Sequence, residues 1–364
     1  MTEREAAVAF NLTDRIGSVG VGELVVRHGS AAAAWEAWPN KVSRTGGPVD
    51  WRAELARAAR FDVTVLTIFD ESYPAQLKGV PGAPLVLYVK GSAEALSMPS
   101  VAVVGTRRAT TYGRDQAYRF GHDLAEEGWA VLSGLALGID AEAHRGALAA
   151  KGVTIGVIGS GLDCFYPEEN RELAREIVRA GGAVVSEFPF GRPPDQQTFP
   201  IRNHVVAALA KGTLAIEAPV KSGTLITTGI AADLGRAVMA VPGRVDVPSS
   251  AGCLALIRDG ATLVRCAADV SLALGRIADA GAPAAKKRAT TRRAVRKETS
   301  DAPPFTLDEG LVMREVDVEG VTMDELVRRT GLPVEKVNAL AMTLRLKGRL
   351  RFIPGNRVAL PRPV

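Results

Sequence analysis

From residue 101 onward, short apolar runs alternate with stretches in which apolar positions recur every three or four residues. Val101-Ala102-Val103-Val104, Ala130-Val131-Leu132, Thr154-Ile155-Gly156-Val157-Ile158 and Ala183-Val184-Val185 have the length and make-up of strands. Leu214-Ala215-Ile216-Glu217 and Ala237-Val238-Met239-Ala240-Val241 add two more. Helical spacing predicts helices over about 113–127, 139–150, 168–179 and 224–234. Strands that are apolar at nearly every position must be covered on both faces. The predicted fold class is therefore α/β, a doubly wound, mostly parallel sheet.

The chain is patterned differently at its two ends. Residues 1 to about 60 carry Ala, Arg and Glu at helical spacing, which predicts a small helical domain with Trp35 and Trp38 in its core. Ile16-Gly17-Ser18-Val19-Gly20-Val21-Gly22 falls between helical stretches. It is either a plain turn or a hairpin that turns N–H groups toward a phosphate. Residues 279–304 have no apolar periodicity and carry Lys286-Lys287-Arg288, Arg292-Arg293 and Arg296-Lys297, the composition of a basic flexible linker. Such a run is either merely solvated or adds non-specific attraction to phosphates.

Order resumes over the last sixty or so residues. Thr322-Met323-Asp324-Glu325 has the form of a capping box, and Gly331-Leu332-Pro333 breaks the helix that follows. A second helix is expected over about 334–347, then a hairpin turning at Gly355-Asn356. That order predicts a winged helix, with Arg345, Lys347 and Arg349 available to DNA. Such modules serve DNA binding and protein docking alike. The expected division is 1–65 helical, 66–278 α/β, 279–304 linker and 305–364 winged helix.

Composition narrows the function classes. A chain of 364 residues with 47% hydrophobic and 23% charged residues has ample material for two or three domains. The formal charge of +5 is compatible with an acidic partner such as nucleic acid. Cys164, Cys253 and Cys266 show no CxxC spacing and leave one thiol over in any disulfide scheme, so a reduced cytoplasmic protein is expected. The opening Met1-Thr2-Glu3-Arg4 lacks signal-peptide character, and no apolar run is long enough to span a bilayer.

Candidate chemistry concentrates at the carboxyl ends of the predicted strands, where helix N-termini direct N–H groups toward a ligand. Gly105-Thr106-Arg107 combines a close backbone approach with a planar guanidinium fork. Lys221-Ser222-Gly223-Thr224 joins a cation, a hydroxyl and a helix start, which makes either an anion site or a capped helix beside a solvated lysine. Phe199, Arg202 and Asn203 offer a stacking face, a phosphate contact and a polar contact, although Phe199 also suits a core position. The glycines of 133–140 and of Gly159-Ser160-Gly161 suit phosphate approach or simply tight turns. There is no G-x-x-x-x-G-K-[ST] motif, and the third glycine of a G-x-G-x-x-G would fall at Cys164. Glu168, Glu169 and Glu187 form no catalytic dyad, and Cys164 has no nearby histidine in sequence. No catalytic residue, metal site or cofactor is expected.

These segments resemble the DNA-processing protein A family (DprA, also called Smf). The match runs through Val103-Val104-Gly105-Thr106-Arg107, the stretch from Ser133 to His144, Gly159-Ser160-Gly161-Leu162-Asp163, Tyr166-Pro167 and Asn170. It continues through Ser186-Glu187, Phe199-Pro200-Ile201-Arg202-Asn203, Ser222-Gly223-Thr224-Leu225-Ile226-Thr227 and Val241-Pro242-Gly243. The resemblance implies an extended Rossmann-like fold between an N-terminal helical (SAM-like) domain and a C-terminal winged-helix domain. It also implies a homodimer that binds single-stranded DNA, protects incoming strands in natural transformation and loads a RecA-type recombinase. By the same resemblance Arg107 contacts DNA, Arg202 and Lys221 are further basic positions, and Gly223 lies in a phosphate-facing turn. Thr106 stands where Ser is common, and His204 where Arg is common. The alternative is a hydrolase that releases bases from nucleotides on a related sheet, which would need an acid close behind Gly223-Thr224; Asp233 comes about two turns later.

Overall fold

The computed structural model describes residues 1–13, 16–44, 46–275, 307–317, 320–334, 336, 337, 340, 341, 344, 349–353 and 357–360. They belong to two compact units, Met1–Pro283 and Ala284–Val364. The expected linker, Arg345, Lys347 and the Gly355-Asn356 turn lie outside the described residues.

The first unit opens with four helices, α1 (Glu3–Leu12), α2 (Ser18–His28), α3 (Ala31–Ala37) and α4 (Trp51–Arg60). Gly20 and Gly22 lie inside α2 and only Gly17 is left at its N-cap, so the glycine-spaced turn expected there is much shorter. Two strands that the apolar pattern did not announce follow, β1 (Thr64–Thr67) and β2 (Val86–Gly91). The predicted alternation then runs as β3 (Ser100–Val104), α5 (Thr111–Glu126), β4 (Ala130–Ser133), α6 (Ile139–Ala149), β5 (Thr154–Val157), α7 (Arg171–Arg179) and β6 (Ala183–Ser186). It continues through α8 (Thr198–Leu209), β7 (Gly212–Ala215), α9 (Gly223–Asp233), β8 (Ala237–Ala240), α10 (Ala251–Arg258), β9 (Thr262–Leu263) and α11 (Ala267–Ala273).

These strands form one sheet in the order β1-β2-β6-β5-β4-β3-β7-β8-β9. Only the β1–β2 and β2–β6 pairings are antiparallel. Period-two alternation sorts the core: Ala102 and Val104 face one side with Val205, Val206 and Leu209 of α8. Val101 and Val103 face the other, with Ala117, Phe120 and Leu124 of α5. The four N-terminal helices close over the β1–β2 ribbon, where Phe10, Val21, Ala34 and Trp35 share a cluster with Val65, Val86, Tyr88 and Phe190. Chain order runs β3 to β6 away from one edge of β3 and resumes with β7 on its other edge. The boundary between β3 and β7 is therefore the switch point of the sheet, where loops from the two halves diverge and leave a crevice.

The α8 helix is not among the helices that the spacing of apolar residues predicts. Pro200 is tolerated because it stands in the first turn, where its missing N–H has no helical acceptor to lose. Asp195 starts the helix by accepting from the N–H groups of Gln197 and Thr198, both at 2.8 Å.

The second unit holds α12 (Leu307–Arg314), β10 (Val321–Thr322), α13 (Met323–Thr330), β11 (Arg351–Ile353) and β12 (Arg357–Ala359). Its strands pair in the order β10-β12-β11, all antiparallel, over a core that includes Val312, Leu326, Val337 and Val358. This is the winged-helix arrangement. Thr322 caps α13 through the Glu325 N–H at 3.2 Å, and Gly331 ends it at φ +68°. The reciprocal arm of the capping box is replaced: the Glu325 carboxylate accepts from Arg328 and Arg329. Among the described residues no helix is long and apolar enough to cross a membrane.

Candidate nucleic-acid interface

Three loops leave the carboxyl ends of β3, β4 and β7 and are tied to one another before any ligand is considered. After β3 the chain turns through Gly105, Thr106 and Arg107. The Thr106 N–H donates to the Glu217 carbonyl at 2.7 Å, and the Thr106 carbonyl accepts from the Ile139 N–H at 3.3 Å. The Thr106 hydroxyl accepts from the Arg108 N–H at 3.2 Å. Glu217, buried at the end of the β7 segment, binds the same loop with its side chain. It accepts from the Thr110 N–H (2.9 Å), the Thr110 hydroxyl (3.0 Å) and the Ser249 hydroxyl (2.5 Å). Gly105 and Gly113 are required by space, since a Cβ on either would collide with Ile139 or the Glu217 carboxylate.

The loop after β4 is held from beneath. Asp140, at the start of α6, accepts from the Gly134 N–H at 3.1 Å and the Ala136 N–H at 3.4 Å. Buried Asn170 donates its amide to the Leu135 and Ala136 carbonyls at 2.9 and 3.0 Å. Leu135 sits at φ +52° and Gly138 at φ +79°. Gly138 backs so closely on the Arg107 carbonyl that a Cβ would lie 2.8 Å from it.

Arg202 rises from α8 into the floor between these loops and is only 6% exposed. Its Nη1 donates to the Gly134 carbonyl and, at 2.7 Å, to the Val157 carbonyl, while Nε donates to the Asn203 amide oxygen at 3.1 Å. Burial pulls its pKa down to about 10, against the nearby Asp140 that favours the charged form. Burial likewise raises the Asp140 pKa and Arg202 opposes it. Arg202 is thus first a strut of the cleft, tied to the loop after β4 and to the end of β5.

The third wall is the start of α9. Ser222 takes an extended N-cap conformation, yet its hydroxyl caps nothing and its buried Oγ has no partner among the described residues. The Leu225 N–H donates to the Ser222 carbonyl at 3.1 Å, while the N–H groups of Gly223 and Thr224 have no acceptor among the described residues, so two unfilled donors open beside exposed Lys221.

Nine of the ten residues singled out from sequence line one cleft of about 340 Å³: Gly105, Thr106, Arg107, Arg202, Asn203, Lys221, Ser222, Gly223 and Thr224. Phe199 lies just outside it, half-buried, with the Arg107 guanidinium 4.9 Å from its ring centroid. It is neither a pure core residue nor a free platform. His204 does not line the cleft; it lies against Gly82 on the other flank of α8, and burial lowers its pKa. Glu187 makes no bond to Arg202, and its buried Oε1 has no partner among the described residues.

Sequence reasoning missed Arg108, Asp140, Glu217 and Tyr166. Arg108 and Asp140 line the cleft, Glu217 braces it, and Tyr166 stands at its edge. The available signals were that Asp140 sits inside the glycine-rich loop, that Tyr166 belongs to a segment carrying the family resemblance, and that Glu217 ends an otherwise apolar strand. Burial first, then the Asp163 carboxylate, raises the thiol of Cys164, and burial pushes that of Cys253 up to about 12. Cations at Arg107, Arg108 and Lys221 and the open amides of Gly223 and Thr224 give the cleft donors that an anion can accept from, beside one buried acid.

The family described as DNA recombination-mediator protein A matches residues 64–275, and the DprA winged helix domain matches residues 296–356. The chain is similar to Protein Smf of Synechocystis sp., at 35% identity over 314 residues, 80% of this chain and 79% of that protein. It is similar to DNA processing protein DprA of Streptococcus pneumoniae, at 41% identity over 204 residues, 56% of this chain and 72% of that protein. The solved structure of the S. pneumoniae protein superposes with a TM-score of 0.61 at 32% identity, covering 75% of this chain and 98% of that one. A structure of DNA processing protein A from Helicobacter pylori, described for its single-stranded DNA binding mode, superposes with a TM-score of 0.53 at 28% identity. It covers 59% of this chain and 96% of that one.

Proposed function

The chain belongs to the DNA recombination-mediator protein A family, and from that premise we propose that its switch-point cleft binds single-stranded DNA through the phosphate backbone. One observation carries the reading: the three exposed cations Arg107, Arg108 and Lys221 line the same cleft as the open first turn of α9. Phosphate oxygens would take the guanidinium forks and the amides of Gly223 and Thr224, with the Ser222 hydroxyl supplying a further donor. Such contacts recognise backbone rather than sequence and weaken with salt as counterions are released.

The family resemblance supports the wider role. The bound strand is incoming DNA in natural transformation, shielded by a homodimer and passed to a RecA-type recombinase in the cytoplasm. In that scheme residues 66–278 hold the strand, and the segments 1–65, 279–304 and 305–364 are accessory. The function is binding rather than catalysis. A base-releasing hydrolase would need a free acid poised over the cleft, but the Glu217 carboxylate is taken by Thr110 and Ser249 and the buried Asp140 carboxylate by the Gly134 and Ala136 N–H groups. Asp233 ends α9, about 15 Å along the helix from Gly223.

Fluorescence anisotropy with labelled oligothymidine across a salt series tests the reading. Arg107→Ala and Lys221→Glu should each weaken binding by roughly ten- to a hundredfold. Each should also flatten the salt dependence by about 0.7 in log–log slope for every phosphate that the variant no longer neutralises. Folded variants that bind as tightly as the parent protein, with the same slope, would refute the cleft. Strand-exchange assays with a RecA-type recombinase, and sedimentation of the free protein, test the loading role and the dimer.

A further inference from the structure

A second groove, of about 600 Å³, shares no lining residue with the cleft and lies where the end of α4 meets the loop after β5 and the α7 helix. Its floor is apolar, with Val63, Leu162, Phe165, Val178, Val184 and Phe190. At its mouth Phe61 is 45% exposed and stacks on Phe190, with ring centroids 5.5 Å apart and planes at 21°. The rim is a ladder of cations: Arg171, Arg175 and Arg179 recur at every fourth residue of α7, next to Ala174 and Val178 on the same wall. Arg175 and Arg179 share the single Glu172 carboxylate at 3.0 Å each, and Arg171 pairs with Glu168 at 2.6 Å. All three pairs are exposed, add little to folding and leave guanidinium N–H groups over for a new acceptor. The groove also keeps its form unaided. Arg57 of α4 donates to Asp163 at 2.8 Å, and Asp163 accepts from the Gly191 N–H at 2.8 Å, which ties α4 to the loops after β5 and β6.

We infer that this groove docks an acidic peptide segment of a partner protein, with apolar side chains on the floor and carboxylates on the α7 arginines. Four helical residues rise about 6 Å, close to the roughly 6.6 Å that two residues span in an extended chain. A segment alternating acidic with apolar residues therefore meets ladder and floor together. Guanidinium forks take both oxygens of a carboxylate, which suits Asp or Glu at the ladder positions. The chain's own 279–304 stretch, with Lys286-Lys287-Arg288 and Arg292-Arg293, has the same sign as the rim, so it is not the occupant. A nucleic-acid backbone would satisfy the arginines but leave the apolar floor and Phe61 uncovered. An acidic, apolar peptide uses both. Because the walls are preformed, docking costs little reordering of the groove.

The test titrates the full-length protein into a short fluorescein-labelled peptide that alternates Asp with Leu and Phe, followed by anisotropy. The double variant Arg175→Gln, Arg179→Gln and the single variant Phe61→Ser alter exposed side chains, so both should melt with the parent. Each should weaken peptide binding by at least about fivefold and leave oligothymidine affinity unchanged. The same peptide with Lys in place of Asp should not bind. The inference is overturned if the parent ignores the acidic peptide up to about 1 mM, if both variants bind it like the parent, or if the Lys peptide binds equally well. It is overturned in favour of a nucleic-acid surface if the variants lose oligothymidine affinity as well. Vesicles containing phosphatidylglycerol that bind the parent, but not the double variant, in place of the peptide would assign the groove to a membrane instead.

Discussion

Replacing Arg202 by Met tests whether this arginine is a strut before it is a ligand group. The substitution keeps most of the side-chain stem but removes the charge facing buried Asp140 and the donor shared by the Gly134 and Val157 carbonyls. Breaking a buried charge pair by deleting one partner costs about 3–5 kcal/mol, because the remaining charge is left without compensation. For a unit of this size that corresponds to a fall in Tm on the order of 10 °C. The pH dependence carries the sign. Burial already holds the Asp140 pKa above its ordinary value of 3.8, and loss of Arg202 raises it further. A carboxyl raised in the folded state favours folding fully only below its unfolded pKa, and that advantage is lost as pH rises. Arg202→Met should therefore be hurt more at pH 8 than at pH 5, and Asp140→Asn in the same chain should remove that difference. Thermal and urea unfolding of the parent, both single variants and the double variant complete the cycle. An Arg202→Met protein that melts with the parent at every pH would refute the strut and return Arg202 to the surface as a plain DNA contact.

Four further outcomes follow from particular residues. Gly138→Ala places a Cβ against the Arg107 carbonyl at φ +79° and should cost at least about 1 kcal/mol in unfolding experiments. Gly223→Ala meets nothing within 4 Å, so it should melt like the parent yet bind oligothymidine more weakly by keeping phosphate off the α9 amides; equal binding would remove Gly223 from the contact surface. His144 is fully buried, and its Nδ1–H donates to the Thr154 hydroxyl at 2.7 Å while Nε2 has no partner among the described residues. Burial pulls its pKa down to about 3, so its contribution is intact above about pH 6.5 and lost as pH falls, by up to about 1.4 kcal/mol per unit. His144→Gln should flatten that acid limb in a pH series of urea midpoints. Burial pushes the Glu187 carboxyl the other way, to about 7, so stability is lost as pH climbs from 4.5 through 7. Glu187→Gln should gain stability over the parent at pH 8 and little at pH 4; an equal gain at both would show that its charge is not the cause.

Local signals carried much of the fold. Runs such as Val101–Val104, Ala130–Leu132 and Ala237–Ala240 became strands because residues apolar at every position can be satisfied only between two layers. The α8 helix was hidden because Pro200 and the polar Arg202-Asn203 pair imitate a turn, while the cap that starts it, Asp195, stands outside the motif. The β1–β2 ribbon was hidden because its stability comes from pairing with β6 and from the helices above it, neither of which is local.

The sequence by itself determined the alternation of strands and helices, the glycine turns at the strand ends and the presence of cations in those turns. Each of these depends on the side chains of a few consecutive residues and on the backbone freedom they allow. Tertiary structure decided which turns meet. Arg107 and Lys221 are more than a hundred positions apart and share a cleft only because β7 returns to pair with β3 at the switch of the sheet. It also decided that Arg202 is buried, that Glu217 braces the cleft, and that Tyr166 stands beside Phe199. Burial and distance are properties of the packed chain, set by strand order and layer contacts that no local window contains.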